Sequence, residues 1–249
     1  MKLKDKLANQ FILGTWSEIP TPYASNIVAK AKMDFQIIDM EHGVFDFELV
    51  QNMIFAIKAE ESAAIVRVPS IDESYILRAL DTGADGIIFP QVESLDDVEK
   101  IVEYSKYPPI GNKGFNPYVY TGGYNGVEKG FFEERNNDLT IGVIIETKKG
   151  LENLEEIAKN KHVDIIYIGQ YDLSVSLGVA GDVNNKLVLD ILKQAVAVIN
   201  ANKKLAGCMV HSAQEAKLLI EQGFRFIVYK VDAALLYQSY NDFRKEVAK

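Results

Sequence analysis

Asp39, Glu41 and His42 close the apolar run FQIIDMEHG, and they are the first residues in this sequence whose types and spacing could do chemistry. An apolar strand that ends in ionisable groups costs free energy unless those groups face a cleft. The ending recurs. AAIVRVP delivers Arg67, TIGVIIET delivers Glu146, and DIIYIGQYD delivers Asp172. Glu146 and Asp172 are carboxylates from neighbouring strands, and they could repel, share a proton or hold a divalent cation completed by water. With no Cys or His cluster at hand, that cation would be oxygen-ligated Mg2+ or Mn2+. The plainer alternative is a pair of strand-end caps or ion-pair partners. His42 stands where a general base is useful, because its pKa lies near working pH. Asp39 and Glu41 could orient it. Arg67 offers a fork of donors matched to a carboxylate or a developing oxyanion, and its plainer role is a buried ion pair with Asp39 or Glu41. A metal pair, a base and an arginine on one face would suit enolisation beside a carbonyl.

Such a face requires strands that all end on the same side. The spacing predicts strands at 12–16, 35–42, 63–69, 86–92, 140–147, 164–169, 205–210 and 224–231, rich in β-branched residues and nearly continuous in apolar character, as buried parallel strands are. Helices are expected between them at 25–32, 47–59, 73–81, 94–107, 150–160, 186–202, 212–222 and 233–247, with a short lead-in helix over 1–10. Ser94 is expected as an N-cap and Gly83 as a helix stop. Residues 108–138 break the rhythm and read as a long aromatic loop, as does the stretch from the sixth strand through Gly181. Eight strand–helix units with charged C-terminal strand ends predict a single (β/α)8 barrel over residues 1–249.

Composition narrows the function classes. The 249 residues are 48% hydrophobic and 25% charged, which suits a soluble globular protein. No apolar run approaches the roughly 18 residues of a membrane span. The net charge of −8 and scattered lysines give no electrostatic footprint for nucleic acid. The single cysteine, Cys208, lies in the apolar AGCMV and reads as a buried structural thiol of a reducing, cytoplasmic protein. Of the other histidines, His162 falls in a polar turn and His211 at the end of the seventh strand. No G-x-G-x-x-G follows a strand and no P-loop is present. Lys230 is the one candidate for a Schiff-base lysine at a strand end.

At these residues the sequence resembles the HpcH/HpaI aldolase family. The resemblance rests on IDMEHG, VRVP, IIET and GQYDLS in this order, with ALDTGADGIIFPQV and VDAALL between and after them. It implies a metal-dependent (class II) aldolase that binds a 2-oxo acid, pyruvate, through a divalent metal and joins it to an aldehyde. Carried over, Glu146 and Asp172 would hold Mg2+ or Mn2+, Arg67 would stabilise the enolate oxygen, and His42 would be the base acting on the aldol hydroxyl. Gly169, Ile144 and Tyr171 would line the substrate. The family's aspartate partner for the histidine matches Asp81, although this topology puts Asp81 on the opposite rim and makes Asp39 the better partner unless another subunit supplies Asp81. A related citrate-synthase-like activity or a 2-oxo acid decarboxylase is the alternative on the same site. The resemblance also implies a homo-oligomer, a hexamer or dimer, that exchanges its C-terminal helix. Three departures bear on the acceptor: Ile144 in place of a glutamine, Lys113-Gly114 in place of an arginine–glycine pair, and Tyr171 in place of a small residue.

Overall fold

The computed structural model describes residues 3–7, 11–126 and 128–248. Eight parallel strands close into a barrel in sequence order: β1 (Ile12–Ser17), β2 (Phe35–Asp39), β3 (Ala63–Arg67), β4 (Gly86–Phe89), β5 (Thr140–Ile145), β6 (Ile165–Ile168), β7 (Leu205–Val210) and β8 (Phe226–Val231). The helices are α1 (Leu3–Leu7), α2 (Pro22–Lys30), α3 (Phe47–Lys58), α4 (Glu73–Asp81), α5 (Leu95–Ser105), α6 (Phe131–Asp138), α7 (Lys148–Glu152), α8 (Leu154–Lys159), α9 (Gln170–Ser176), α10 (Lys186–Ala201), α11 (Ala213–Glu221) and α12 (Asp232–Val247). The expected (β/α)8 barrel is therefore present.

Strand alternation separates two cores. One set of positions, including Ile12, Trp16, Phe35, Ile37, Ile65, Ile144, Tyr167, Phe226 and Val228, fills the barrel interior. The opposite set packs outward beneath the helices, as with Ile38, Val66, Ile87, Val143 and Cys208. Phe35 stacks on Phe226 with ring centroids 4.1 Å apart. Gly14 makes that possible, since a Cβ there would come within 2.3 Å of the Phe35 ring. Leu3 on α1 belongs to the same interior cluster.

The N-terminal rim is tied by aspartates that directly precede even-numbered strands. Asp34, Asp85 and Asp164 accept hydrogen bonds from the N–H groups of Leu13, Ala64 and Ile141. Lys58 and Lys4 pair with Asp85 and Asp164 at 2.9 and 3.0 Å. These acids serve the strand starts, which leaves the carboxylates at the other rim for chemistry. Ser94 caps α5 as expected, accepting from Asp97 N–H. Gly83 follows α4 with φ of 96°, a conformation that favours glycine.

Several boundaries differ from the sequence reading. The stretch 108–138 contains a helix, α6, whose Phe131 and Phe132 pack on Tyr107 and Phe115. The segment after β6 is also helical over α9. The helix expected over 150–160 is two, broken at Asn153, whose side chain donates to the Glu93 carbonyl at 2.7 Å. α2 begins at Pro22 behind the Thr21 cap, before the expected Ser25. The lead-in helix is seen over Leu3–Leu7, and the rest of 1–10 lies outside the described residues. No helix among the described residues is long and apolar enough to cross a membrane.

Candidate active site

The C-terminal ends of the strands surround a cavity of about 250 Å³. His42, Arg67, Ile144, Glu146, Gly169, Tyr171 and Asp172 all line it. Pairing explains the convergence. Asp39 and Arg67 stand opposite each other in the β2–β3 register, as do Ile144 and Tyr167 between β5 and β6. Glu146 immediately follows β5, while Asp172 sits in the first turn of α9.

Arg67 is held from two sides. Its Nε donates to Asp39 Oδ1 at 2.7 Å, Nη2 donates to Asp39 Oδ2, and Nη1 lies 3.0 Å from Glu41 Oε2. The guanidinium carbon also lies 4.3 Å from the centre of the Trp16 ring, a cation–π contact. Burial disfavours the charged guanidinium, but the bonds to Asp39 and the charges of Asp39, Glu41 and Glu146 outweigh it and raise its pKa. Two N–H groups of the five that a guanidinium carries remain for a ligand. Trp16 Nε1 donates to Tyr167 Oη at 3.3 Å, and burial pushes the Tyr167 phenol up. That hydroxyl is neutral and has its own proton to give.

Asp39 does not serve His42. The sequence reading favoured Asp39 as partner, but its fully buried carboxylate is consumed by Arg67 and by the N–H groups of Glu41 and His42. The nearest carboxylate to the His42 ring is Glu41, with Oε2 4.0 Å from Nε2. His42 is 63% exposed and free to turn toward a ligand. Asp81 lies away from the cavity at the end of α4, where it accepts from Lys113 Nζ at 2.8 Å. Within one chain it does not meet His42. The loop expected to shape the acceptor does not line the cavity either: Lys113 is buried against Asp81 and Tyr107, and Phe115 packs on Tyr107 and α6. Lys230 hydrogen-bonds Gln238 at 2.6 Å and stays outside the cavity. A bulge in β8 opposite Thr15, with Lys230 at φ of 48°, turns Val231 to the cavity instead. Cys208 is fully buried, and burial pushes its thiol up, as a structural thiol requires. His211 meets Tyr171 edge-on at 6.4 Å, and His162 is half-buried at the opposite rim.

The carboxylate pair has the character of a cation site. Glu146 is buried, and its Oε1 accepts from Gln91 N–H at 2.8 Å. Gln91 presents that N–H from a left-handed backbone, φ 55°, which a glutamine rarely adopts without a reason. Oε2 lies beside Gly169, where a Cβ would approach it to 2.6 Å. Burial pushes Glu146 up to about 7, the Gln91 bond opposes this, and the charges of Asp172 and Glu41 add to it. Burial also raises Glu41 and Glu18. Five carboxylates thus crowd one arginine that two of them already neutralise. The described residues hold no group of three His, Cys, Asp or Glu side chains set to bind a metal. Glu146 and Asp172 suit a hard cation that keeps water or substrate oxygens in its other positions.

Trp16, Glu18, Gln91 and Tyr167 were not singled out from the sequence. The rule that found Arg67 would have found Glu18, which directly follows the first strand, whereas Trp16 is not ionisable and falls outside it. Gln91 carries no such signal, because its contribution is a backbone N–H.

Comparisons with known proteins agree with this fold. The family model described as HpcH/HpaI aldolase/citrate lyase matches residues 13–239. A 5-keto-4-deoxy-D-glucarate aldolase of Shigella boydii is 29% identical over 225 residues, covering 90% of this chain and 87% of the relative. The crystal structure of an HpcH/HpaI aldolase from Desulfitobacterium hafniense superposes with a TM-score of 0.94 at 26% identity, covering 100% of this chain and 97% of that one. A citrate synthase, SbnG, superposes with a TM-score of 0.89 at 27% identity, over 100% and 99% of the two chains. With a matched family model across nearly its whole length, this chain belongs to the HpcH/HpaI aldolase/citrate lyase family.

Proposed function

We propose that this chain is a divalent-metal-dependent aldolase that forms or cleaves a 4-hydroxy-2-oxo acid, using pyruvate and an aldehyde and passing through an enolate. The observation that carries the reading is the meeting of a buried carboxylate, Glu146, and the exposed carboxylate Asp172 with an anchored arginine in one cavity. As a family member similar to named aldolases, the chain is a carbon–carbon lyase. Glu146 and Asp172 are the residues to hold Mg2+ or Mn2+. A divalent cation there would bind the 2-oxo acid and withdraw electron density from its carbonyl.

The chain's own residues supply the rest. Arg67, fixed by Asp39 and Glu41, directs its remaining N–H groups at the oxygen that becomes negative in the enolate. Rigid anchoring means little reorganisation is needed as that charge develops. Tyr167 adds a neutral donor from the barrel floor. Ile144 makes an apolar wall, and Gly169 keeps Cβ atoms clear of Glu146. His42, exposed at the mouth, takes or returns the proton of the aldol hydroxyl. Tyr171 places a half-exposed hydroxyl at the acceptor side.

Residues 1–249 act as one barrel domain in this reading, in the cytoplasm. The outer face of α12 leaves Leu236, Tyr237, Tyr240, Phe243 and Val247 exposed, which supports a homo-oligomer in which a second copy covers them and brings its Asp81 to His42. A citrate-synthase-like condensation is the second reading, favoured by the similarity to SbnG.

The test is deuterium exchange into the methyl group of pyruvate, followed by NMR, with Mn2+ or Mg2+ and with EDTA. The reading expects exchange that depends on metal and falls sharply in Arg67→Lys. Exchange no faster than with metal alone would overturn it. Product analysis with aldehydes and with oxaloacetate separates the two condensations.

A further inference from the structure

Glu18 follows β1 directly and lines the cavity with Arg67 and His42. Its position is fixed from α12: Asp232 Oδ1 accepts the Glu18 N–H at 2.9 Å, and Oδ2 accepts the Ile19 N–H at 3.2 Å. The Glu18 carboxylate is half-buried, yet it receives no hydrogen bond and forms no ion pair among the described residues. A half-buried carboxylate without a donor is unfavourable, and a ligand hydroxyl would relieve it. Burial and the charges of Asp39 and Asp232 raise its pKa, while Arg67 and His42 lower it, so Glu18 lies in the field of the residues at the cavity mouth.

Charge sets what can enter beside it. Among the described lining residues Arg67 is the one permanent cation, and Asp39 and Glu41 already neutralise it. A 2-oxo acid brings one carboxylate, which the metal end of the cavity receives. Among the described lining residues no further permanent cation remains for a second carboxylate at the His42 end, where Glu18 would repel it.

We propose that Glu18 sets the acceptor class: it excludes aldehydes that carry a carboxylate and accepts hydrogen bonds from the hydroxyls of an uncharged hydroxyaldehyde. This rests on the aldolase reading above. In the condensation, C3 of pyruvate bonds to the aldehyde carbon, one C3 proton is released, and one proton is taken up on the aldehyde oxygen. Nothing is oxidised or reduced, and Glu18 transfers no proton.

Glycolaldehyde and glyoxylate form a size-matched pair that differs in the charge of one end. With pyruvate and Mn2+, the wild-type kcat/KM should favour glycolaldehyde at least about tenfold, and in Glu18→Gln that ratio should fall at least about fivefold. Raising ionic strength with the unmutated protein should shift the ratio the same way, a readout that needs no variant to fold. A wild type that prefers glyoxylate, or a ratio constant within about twofold in both Glu18→Gln and high salt, overturns the proposal. Metal-dependent pyruvate exchange with turnover of neither aldehyde overturns it while leaving the enolate reading standing. Absence of exchange overturns both.

Discussion

Replacing Glu146 with glutamine should stabilise the metal-free protein at pH 8. Burial raises the Glu146 carboxyl from its ordinary 4.5 to about 7. The folded state therefore binds this proton more tightly than the unfolded chain does. Stability is fully present below the unfolded pKa and is lost as pH rises toward 7. At about 1.4 kcal/mol per tenfold change in proton affinity, the ionised group costs about 3 kcal/mol at pH 8 and under about 1 kcal/mol at pH 5. Glutamine carries no charge to desolvate, and its Oε1 still accepts the Gln91 N–H. In EDTA, thermal unfolding of Glu146→Gln should come roughly 6–12 °C above wild type at pH 8 and close to it at pH 5. Saturating Mn2+ should reverse the order, because metal stabilises only the protein that binds it. A variant less stable than wild type at pH 8 without metal would refute the reasoning. So would an offset that is the same at both pH values.

Three more outcomes follow from the geometry. Gly169→Ala places a Cβ 2.6 Å from Glu146 Oε2, so Mn2+ affinity by calorimetry should fall at least about tenfold, with about 1–3 kcal/mol lost in urea unfolding. Arg67→Ala strips Asp39 of its partner in a fully buried place, and should cost about 3–5 kcal/mol of stability. Arg67→Lys should retain more of the fold but lose the bidentate geometry and most pyruvate exchange. His42→Ala, at a 63% exposed side chain, should change stability by no more than about 0.5 kcal/mol. It should preserve pyruvate exchange and lower aldol turnover about 10²–10⁴-fold.

The barrel was legible because parallel buried strands leave a strong mark: apolar, β-branched runs of similar length, each ended by a turn or a charge. The shared direction of parallel strands, each charged at its C-terminal end, then placed Arg67 and Glu146 at the same rim without any knowledge of contacts. α6 escaped because FFEERNND has no amphipathic repeat, and aromatic packing of Phe131 and Phe132 holds it. α9 escaped because its seven residues are too few to show a period. Partner choice was harder. Asp39 and Glu41 are both near His42 in sequence, yet the strand register gives Asp39 to Arg67 and leaves Glu41 as the one of the two within 4.0 Å of the imidazole. Topology placed Asp81 at the end of α4, where the structure has it, outside the lining of this chain's cavity, while the resemblance named it as the partner of His42. The contribution of Gln91 depends on one backbone angle that no residue type announces.

The central claim is that Glu146 and Asp172 together hold a divalent cation. Mn2+ titration followed by electron paramagnetic resonance, with and without pyruvate, tests it most directly. The account predicts one Mn2+ site per chain, tightened by pyruvate, and weakened at least about tenfold in both Glu146→Gln and Asp172→Asn. Equal Mn2+ affinity in wild type and both variants would contradict it.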